Sequence, residues 1–151
     1  MNKKQRIMIV EDQKILREGL KALLSVHPNL QVVGEAENGL EALRKVDKLL
    51  PDLILMDLSM PKMNGIEAIQ ELRKKWPEIK IVALTAYDMD EYISGALKAG
   101  ADGYLLKESN GKELIKFINN VLAGKQVLSP GISHQIIEGY LQNQKGKASQ
   151  S

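Results

Sequence analysis

Five polar residues directly follow short apolar runs of the chain, and their types could serve one chemical purpose. They are the carboxylates Glu11, Asp12 and Asp57, the hydroxyl of Thr85 and the ammonium of Lys107. Three carboxylates held together repel one another unless a cation neutralises them. With no Cys in the chain and no His beside these residues, oxygen donors alone favour a hard ion such as Mg²⁺. An Asp beside Mg²⁺ and a Lys can attack phosphorus, since both cations stabilise charge on the transferring oxygens.

The elements that must position these residues are five short apolar runs, and several of the runs are apolar throughout. Such runs are typical of strands buried on both faces of a parallel sheet. The predicted strands are Arg6–Val10, Gln31–Glu35, Leu53–Met56, Lys80–Leu84 and Gly103–Leu106. Segments with helical spacing separate or follow them, and the predicted helices cover Ile15 to Leu24, Leu40 to Leu49, Ile66 to Leu72, Asp90 to Ala99 and Leu114 to Leu122.

This alternation predicts an α/β fold, a doubly wound (βα)5 parallel sheet of five strands with helices on both faces. Ligands of such sheets bind beyond the carboxyl ends of the strands, where the five polar residues would converge. Gly100 and Gly124 are predicted to cap helix ends, and Ser109 is predicted as a helix N-cap. Arg73 lies in a basic run that is predicted to be a solvated helix end.

The composition narrows the class of protein. The chain has 151 residues, which favours one domain, and a formal net charge of +2, which is too weak to indicate a nucleic acid or an anionic membrane as partner. Without Cys, thiolate metal sites, disulfides and thiol nucleophiles are excluded. The first apolar run, Ile7 to Val10, is too short for a signal peptide or a membrane span, so a cytoplasmic protein without membrane contact is predicted.

The pattern changes after Gly124, and the chain is predicted to fall into three parts. Residues 1–125 would form the α/β domain, 126–142 a connector with one short amphipathic helix as an extra C-terminal element, and 143–151 a linker or truncated end. The apolar positions of the extra helix are Ile132, Ile136, Ile137 and Leu141.

Order, spacing and strand placement together resemble a known family, the response-regulator receiver domains. The resemblance covers roughly residues 5–125 and rests on Glu11-Asp12, MDLSMPKMNG over 56–65, LTA over 84–86 and YLLK over 104–107. GADGY over 100–104 and LSP over 128–130 are similar to the NarL/FixJ group within it. The resemblance implies a flavodoxin-like, CheY-like fold and a two-component transcriptional regulator, which is a phosphorylation switch and not a classical enzyme.

The resemblance also implies roles for individual residues. Asp57 would accept a phosphoryl group from a phosphohistidine of a cognate sensor histidine kinase. Glu11, Asp12 and Asp57, with the backbone carbonyl of Ser59, would hold Mg²⁺. Thr85 and Lys107 would contact the phosphoryl oxygens. Three further residues would have subsidiary roles: Tyr104 would swing between exposed and buried rotamers, and Pro61 and Gly65 would shape the loop after the acceptor.

Partners follow from the same resemblance. Members of the group usually continue into a helix-turn-helix domain, so promoter DNA would be bound only through an output domain expected downstream. Homodimerisation on phosphorylation is expected, through helices one and five or four and five. Ser59 and Tyr87 lie two residues beyond Asp57 and Thr85, and we hypothesise that the bulky Tyr87 slows hydrolysis by restricting the attacking water.

Three alternatives compete with this interpretation. A haloacid-dehalogenase-like phosphohydrolase would need a second Asp two residues after the nucleophile, where Ser59 stands. A flavodoxin-like cofactor site would need a Ser-, Thr- or Gly-rich loop after the first strand, where Glu11-Asp12 would repel phosphate. A binding module that works without phosphorylation remains open, because an intact acidic cluster argues against it without excluding it.

Overall fold

The described part of the chain folds as one parallel β-sheet covered by helices. The computed structural model describes residues 4–58, 65–85, 95–96, 98–106, 110–125 and 127–128. The strands are β1 (Gln5–Val10), β2 (Leu30–Ala36), β3 (Leu53–Asp57), β4 (Lys80–Thr85), β5 (Gly103–Leu106) and β6 (Val127–Leu128). The helices are α1 (Lys14–Ser25), α2 (Gly39–Leu49), α3 (Gly65–Lys75) and α4 (Gly111–Leu122). Residues 95–96 and 98–99 are also helical, within the segment predicted as the fourth of five helices.

The strand order is β2-β1-β3-β4-β5-β6, and every neighbouring pair is parallel. The chain therefore starts near the middle of the sheet, winds outward to β2 and then continues in the other direction from β3. This doubly wound α/β topology and the five predicted strands are confirmed. None of the helices that the structure describes combines the length and the hydropathy needed to cross a bilayer.

A sixth strand stands where the sequence predicts only a connector. Val127 and Leu128 pair in parallel with Gly103 and Tyr104 of β5 and extend the sheet by one short edge strand. Two residues are too few to show a periodicity, so the pairing rather than the pattern defines this strand. The predicted extra helix in 126–142 lies beyond the described residues.

Two apolar layers sandwich the sheet. Alternate strand residues point to opposite faces, as Ile54 and Met56 against Leu53 and Leu55 show in the fully buried β3. Ile54 and Met56 pack with α2 and α3, while Leu53 and Leu55 pack with α1 and α4. Because both faces of the sheet are covered, the strands are nearly continuous apolar runs, and such runs are easily recognised in the sequence.

Side-chain caps begin α2 and α4. The Asn38 carboxamide oxygen accepts the Glu41 backbone N–H at 2.9 Å, and that of Asn110 accepts the Glu113 N–H at the same distance. The predicted cap Ser109 is therefore wrong by one residue, since Asn110 has the three-residue spacing to Glu113 that a capping box requires. Gly100 and Gly124 have φ of 115° and 92°, which confirms their predicted left-handed conformation.

Arg73 is not solvated as predicted. Its Nη1 donates to the carbonyls of Pro77 and Ile79 at 2.7 and 2.9 Å. Its Nε and Nη2 both donate to the Gly100 carbonyl, and Nη2 also binds Asp102 Oδ2 at 2.7 Å. The guanidinium thus ties the end of α3 to the turn that leads into β5. A local pattern could not reveal this, because Gly100 lies 27 residues further along the chain.

Candidate functional site

The acidic cluster forms where two central strands end side by side. Val10 of β1 pairs with Met56 of β3, so Glu11 and Asp57 are the next residues on neighbouring strands. Glu11, Asp12 and Asp57 each bring a carboxylate oxygen within 4.8 Å of the others. Glu11 and Asp57 are buried, whereas Asp12 is exposed. The predicted convergence of the three carboxylates is found in the structure, with one side of the cluster open to solvent.

The donor set of this cluster fits Mg²⁺. All three groups are carboxylates, the oxygen ligands that hard divalent ions prefer. At a Mg–O distance of about 2.1 Å, oxygens bound to one ion lie within about 4.2 Å of each other, close to the observed spread. The exposed position of Asp12 also leaves room for the waters that Mg²⁺ usually keeps.

Thr85 stands beside this cluster at the end of β4. The register pairs Asp57 with Leu84 and Thr85 with Leu106, so Thr85 lies one step beyond Asp57 toward the carboxyl edge. Thr85 is fully buried. The other site residues that the sequence predicts lie outside the described residues: Ser59, Pro61, Tyr87 and Lys107, the last of which follows β5 directly.

Tyr104 is wholly buried on β5. Its register partner is Ala83, two residues before Thr85. The ring belongs to the apolar layer that also contains Met56 and residues of α2 and α3. Of the two rotamers that are expected for this side chain, the structure therefore contains the buried one.

The start of α3 lies close to the main chain of Asp57, the candidate nucleophile. The Gly65 N–H donates to the Leu58 carbonyl at 3.1 Å, and the Leu58 N–H donates to the Leu84 carbonyl at 3.1 Å. A Cβ on Gly65 would lie only 2.4 Å from the Asp57 carbonyl oxygen. Glycine is thus required here by close main-chain approach, whereas its part in shaping the loop that precedes it stays a prediction.

Sequence reasoning missed Arg17, which supports the cluster from α1. The Arg17 Nη1 donates to the main-chain carbonyl of Glu11 at 2.8 Å. Its Nε and Nη2 face carboxylate oxygens of Glu35 at 3.4 Å and of Glu37 at 3.7 Å. A charged residue in an amphipathic helix is ordinarily expected to face solvent, so only the three-dimensional structure reveals this contact.

Further charged groups lie beyond Arg17, between the carboxyl end of β2 and α2. The Lys45 ammonium donates to the Glu35 carbonyl at 2.5 Å and pairs with Glu41 at 2.8 Å. The hydrogen bond from Lys45 is the main reason that the pKa of Glu41 is lowered, and burial opposes it. Ion pairs and hydrogen bonds from charged side chains to main-chain carbonyls therefore connect α2, the end of β2 and, through Arg17, the main chain at Glu11.

Comparisons with known proteins agree with this geometry. Residues 7–119 match the response regulator receiver domain family. The chain is 39% identical to the transcriptional regulatory protein DegU of Brevibacillus brevis over 137 residues, which are 91% of this chain and 58% of that protein. It is 42% identical to the nitrate/nitrite response regulator protein NarL of Escherichia coli strain K12 over 127 residues, which are 84% of this chain and 59% of that protein.

Solved structures show the same relationship. A two-component response regulator of the LuxR family from Aurantimonas sp. SI85-9A1 superposes with a TM-score of 0.85 and 36% identity, covering 91% of this chain and 99% of that one. The chain spans less than two thirds of the length of the curated relatives named above. The family match covers most of the chain, and the chain therefore belongs to the response regulator receiver domains, among which it is similar to those of the NarL/LuxR type.

Proposed function

We propose that Asp57 is the phosphoacceptor of a two-component transcriptional regulator and takes its phosphoryl group from a phosphohistidine of a sensor histidine kinase. One observation carries this proposal: Asp57 is buried at the end of a central strand, within 4.8 Å of the carboxylates of Glu11 and Asp12. Among the acidic residues that the structure describes, only these three form such a group. As a receiver domain, the chain is a signalling switch and not a classical enzyme.

Glu11, Asp12 and Asp57 would hold Mg²⁺, with the backbone carbonyl of Ser59 as a further ligand. The bound ion would neutralise charge on the transferring phosphoryl oxygens. The carboxylate oxygens of the three acidic residues, already within 4.8 Å, support this assignment. Because Glu11 and Asp57 are buried while Asp12 faces solvent, the ion would enter from the side of Asp12.

The chemical step moves one phosphoryl group between two side chains. An Asp57 carboxylate oxygen attacks the phosphorus of the phosphohistidine, and a P–O bond forms as the P–N bond breaks. The bonding pair returns to the imidazole nitrogen, and the product on Asp57 is an acyl phosphate. Thr85 and Lys107 would contact its oxygens, the first from the end of β4 and the second from just after β5.

The phosphoryl group would then act as a switch. It adds roughly −1.5 to −2 charge and strong acceptor oxygens, which would draw Thr85 and Lys107 toward Asp57. Tyr104 is buried two positions along the β4–β5 register from Thr85, and its swing between buried and exposed rotamers would accompany that movement. The faces near α4 and the preceding helical segment would change with it.

Output would come from elsewhere in a longer protein. The similar proteins DegU and NarL are a transcriptional regulatory protein and a response regulator, and both are longer than the matched region. We propose that phosphorylation promotes homodimerisation and so controls a DNA-binding output domain that contacts promoter DNA, in the cytoplasm. Ser59 and Tyr87 would set the lifetime of the acyl phosphate, and Tyr87→Ala should lose its phosphoryl group faster than the wild type.

Intact mass after incubation with acetyl phosphate and Mg²⁺ tests the phosphoacceptor. Wild type should gain about 80 Da, and Asp57→Asn should gain nothing. Asp47→Asn is the matched control, because this exposed α2 residue undergoes the same chemical change and should leave the gain intact. Wild type that gains no mass, either with acetyl phosphate or with a phosphorylated cognate kinase, would contradict the proposal. Retained Mg²⁺ binding in that case would indicate a phosphorylation-independent binding module.

A further inference from the structure

We propose that Arg17 is a positioning residue of the Mg²⁺ site: its guanidinium fixes the main chain at Glu11 and thereby aims the carboxylates of Glu11 and Asp12. The inference rests on the proposed function, because it concerns the ion that these carboxylates would hold. Arg17 lies outside the ligand set. It would act through a main-chain atom and contact neither the ion nor the phosphoryl group.

The peptide units at Glu11 are held from two directions. The Glu11 N–H donates to the Ala36 carbonyl at 3.0 Å and so continues the β1–β2 ladder by one residue. The Glu11 carbonyl accepts the Arg17 Nη1 at 2.8 Å. Beyond this point the chain leaves the sheet for α1, which begins at Lys14, so the guanidinium supplies the hydrogen bond that a strand no longer provides.

The guanidinium is itself held in place. The Arg17 side chain is only 10% exposed, although it extends from a surface helix. Its Nε faces a Glu35 oxygen at 3.4 Å and its Nη2 a Glu37 oxygen at 3.7 Å. These two carboxylates balance the charge of Arg17, which would otherwise repel a cation bound at the nearby cluster. The planar fork of Arg suits such a branched set of acceptors, whereas a single ammonium does not.

Fixing one main-chain segment orients two ligands at once. Glu11 and Asp12 are consecutive, with the Glu11 carboxylate buried and the Asp12 carboxylate at the surface, yet both lie within 4.8 Å of Asp57. The Glu11 carbonyl belongs to the peptide unit that joins them, so rotation of this unit would displace both carboxylates relative to Asp57. Removal of a residue that orients metal ligands typically costs about 10- to 100-fold in metal affinity.

The test is a titration of the full chain with MgCl₂, followed by amide chemical shifts in ¹H–¹⁵N NMR spectra. Arg17→Met should raise the Kd for Mg²⁺ by about 10-fold or more. Arg44→Met is the charge-matched control, because Arg44 is exposed on α2 and makes no ion pair with another described residue. Its Kd should stay within about twofold of the wild-type value.

Two further measurements separate positioning from loss of folding. Arg17→Lys keeps the charge but not the fork, so its Kd should be higher than that of wild type and lower than that of a folded Arg17→Met. The comparison of Arg17→Lys with wild type also serves if Arg17→Met does not fold. Urea unfolding in EDTA measures the stability of each variant without the ion. If Arg17 only positions the ligands, saturating Mg²⁺ should restore the phosphorylation rate of the Arg17 variants. Wild-type affinity in both Arg17 variants would overturn the inference alone. Wild type that binds no Mg²⁺ would overturn the proposed metal site and this inference with it.

Discussion

Replacement of Gly65 by Ala should damage the phosphoacceptor more than its size suggests. The added Cβ would lie 2.4 Å from the Asp57 carbonyl oxygen and 2.5 Å from the Leu58 Cα, whereas real Cβ contacts are essentially never shorter than 3.0 Å. Both atoms belong to the main chain and cannot rotate away. The segment that carries Asp57, or the start of α3, must therefore move by at least about 0.6 Å.

Such a movement has two measurable consequences. Overpacking of this kind costs about 1–3 kcal/mol, which should appear as a lower free energy of unfolding in urea. A displacement approaching 1 Å at a reacting group can cost about 100-fold in rate, so the phosphorylation rate with acetyl phosphate should fall by about 10- to 100-fold. Intact mass spectra taken over time measure that rate directly on Asp57.

Gly19→Ala is the matched control for this variant. Gly19 lies on the exposed face of α1, and apart from its chain neighbours and the local helix backbone no described atom comes within 4 Å of the position that an added Cβ would take. The substitution should raise the free energy of unfolding by about 0.5–1 kcal/mol, because Ala is the better helix former, and leave the rate unchanged. If Gly65→Ala were phosphorylated as fast as Gly19→Ala, close main-chain approach at Gly65 would not control the position of Asp57.

Three other variants test contacts elsewhere in the fold by urea unfolding. Arg73→Met should lower the free energy of unfolding by about 2–4 kcal/mol, because it leaves several partly buried acceptors unsatisfied. The exposed Lys74→Met should change it by less than about 0.5 kcal/mol, and equal losses would refute the role of the Arg73 contacts. Leu50→Gly should raise the free energy of unfolding by about 1 kcal/mol, because Leu50 has a φ of 45°, a left-handed conformation that glycine adopts without strain. A lower free energy of unfolding would contradict this. Lys45→Met should raise the pKa of Glu41 toward its usual 4.5. The stability that the lowered pKa of Glu41 provides is present above pH 4.5 and disappears as the pH falls through that lowered value. The variant should therefore lose less stability than wild type on acidification, and identical pH profiles would contradict the assignment.

The strands and the acidic cluster could be predicted because strands that are buried on both faces consist mostly of apolar residues. Leu53 to Met56 is apolar throughout, since both faces of β3 are covered, and parallel topology then brings strand ends to one edge. Glu11 and Asp57 follow from that topology without any knowledge of side-chain contacts. The pairing of Val10 with Met56 supplies the register that makes them neighbours.

The contacts of Arg17 and Arg73 could not be predicted in this way. Each guanidinium binds main-chain carbonyls, and a carbonyl is present at every residue whatever its side chain. For these main-chain contacts the sequence contains no complementary residue type, and the carboxylates that also face the two guanidiniums lie 18 to 29 residues further along the chain. Asn110 is a different case, because its three-residue spacing to Glu113 is visible in the sequence, and the neighbouring Ser109 offers the same capping chemistry one position too early.

The two-residue strand β6 has a consequence for how this domain behaves in solution. Every residue of β5 is buried, and β6 pairs with its first two residues, Gly103 and Tyr104, whose hydrogen-bonding edge would otherwise face solvent. Unprotected edges of this kind template pairing between molecules. A chain shortened to residue 125 would bare this edge and should self-associate as its concentration rises, independently of phosphorylation. Pairing of β6 with β5 is thus expected to protect the domain against aggregation.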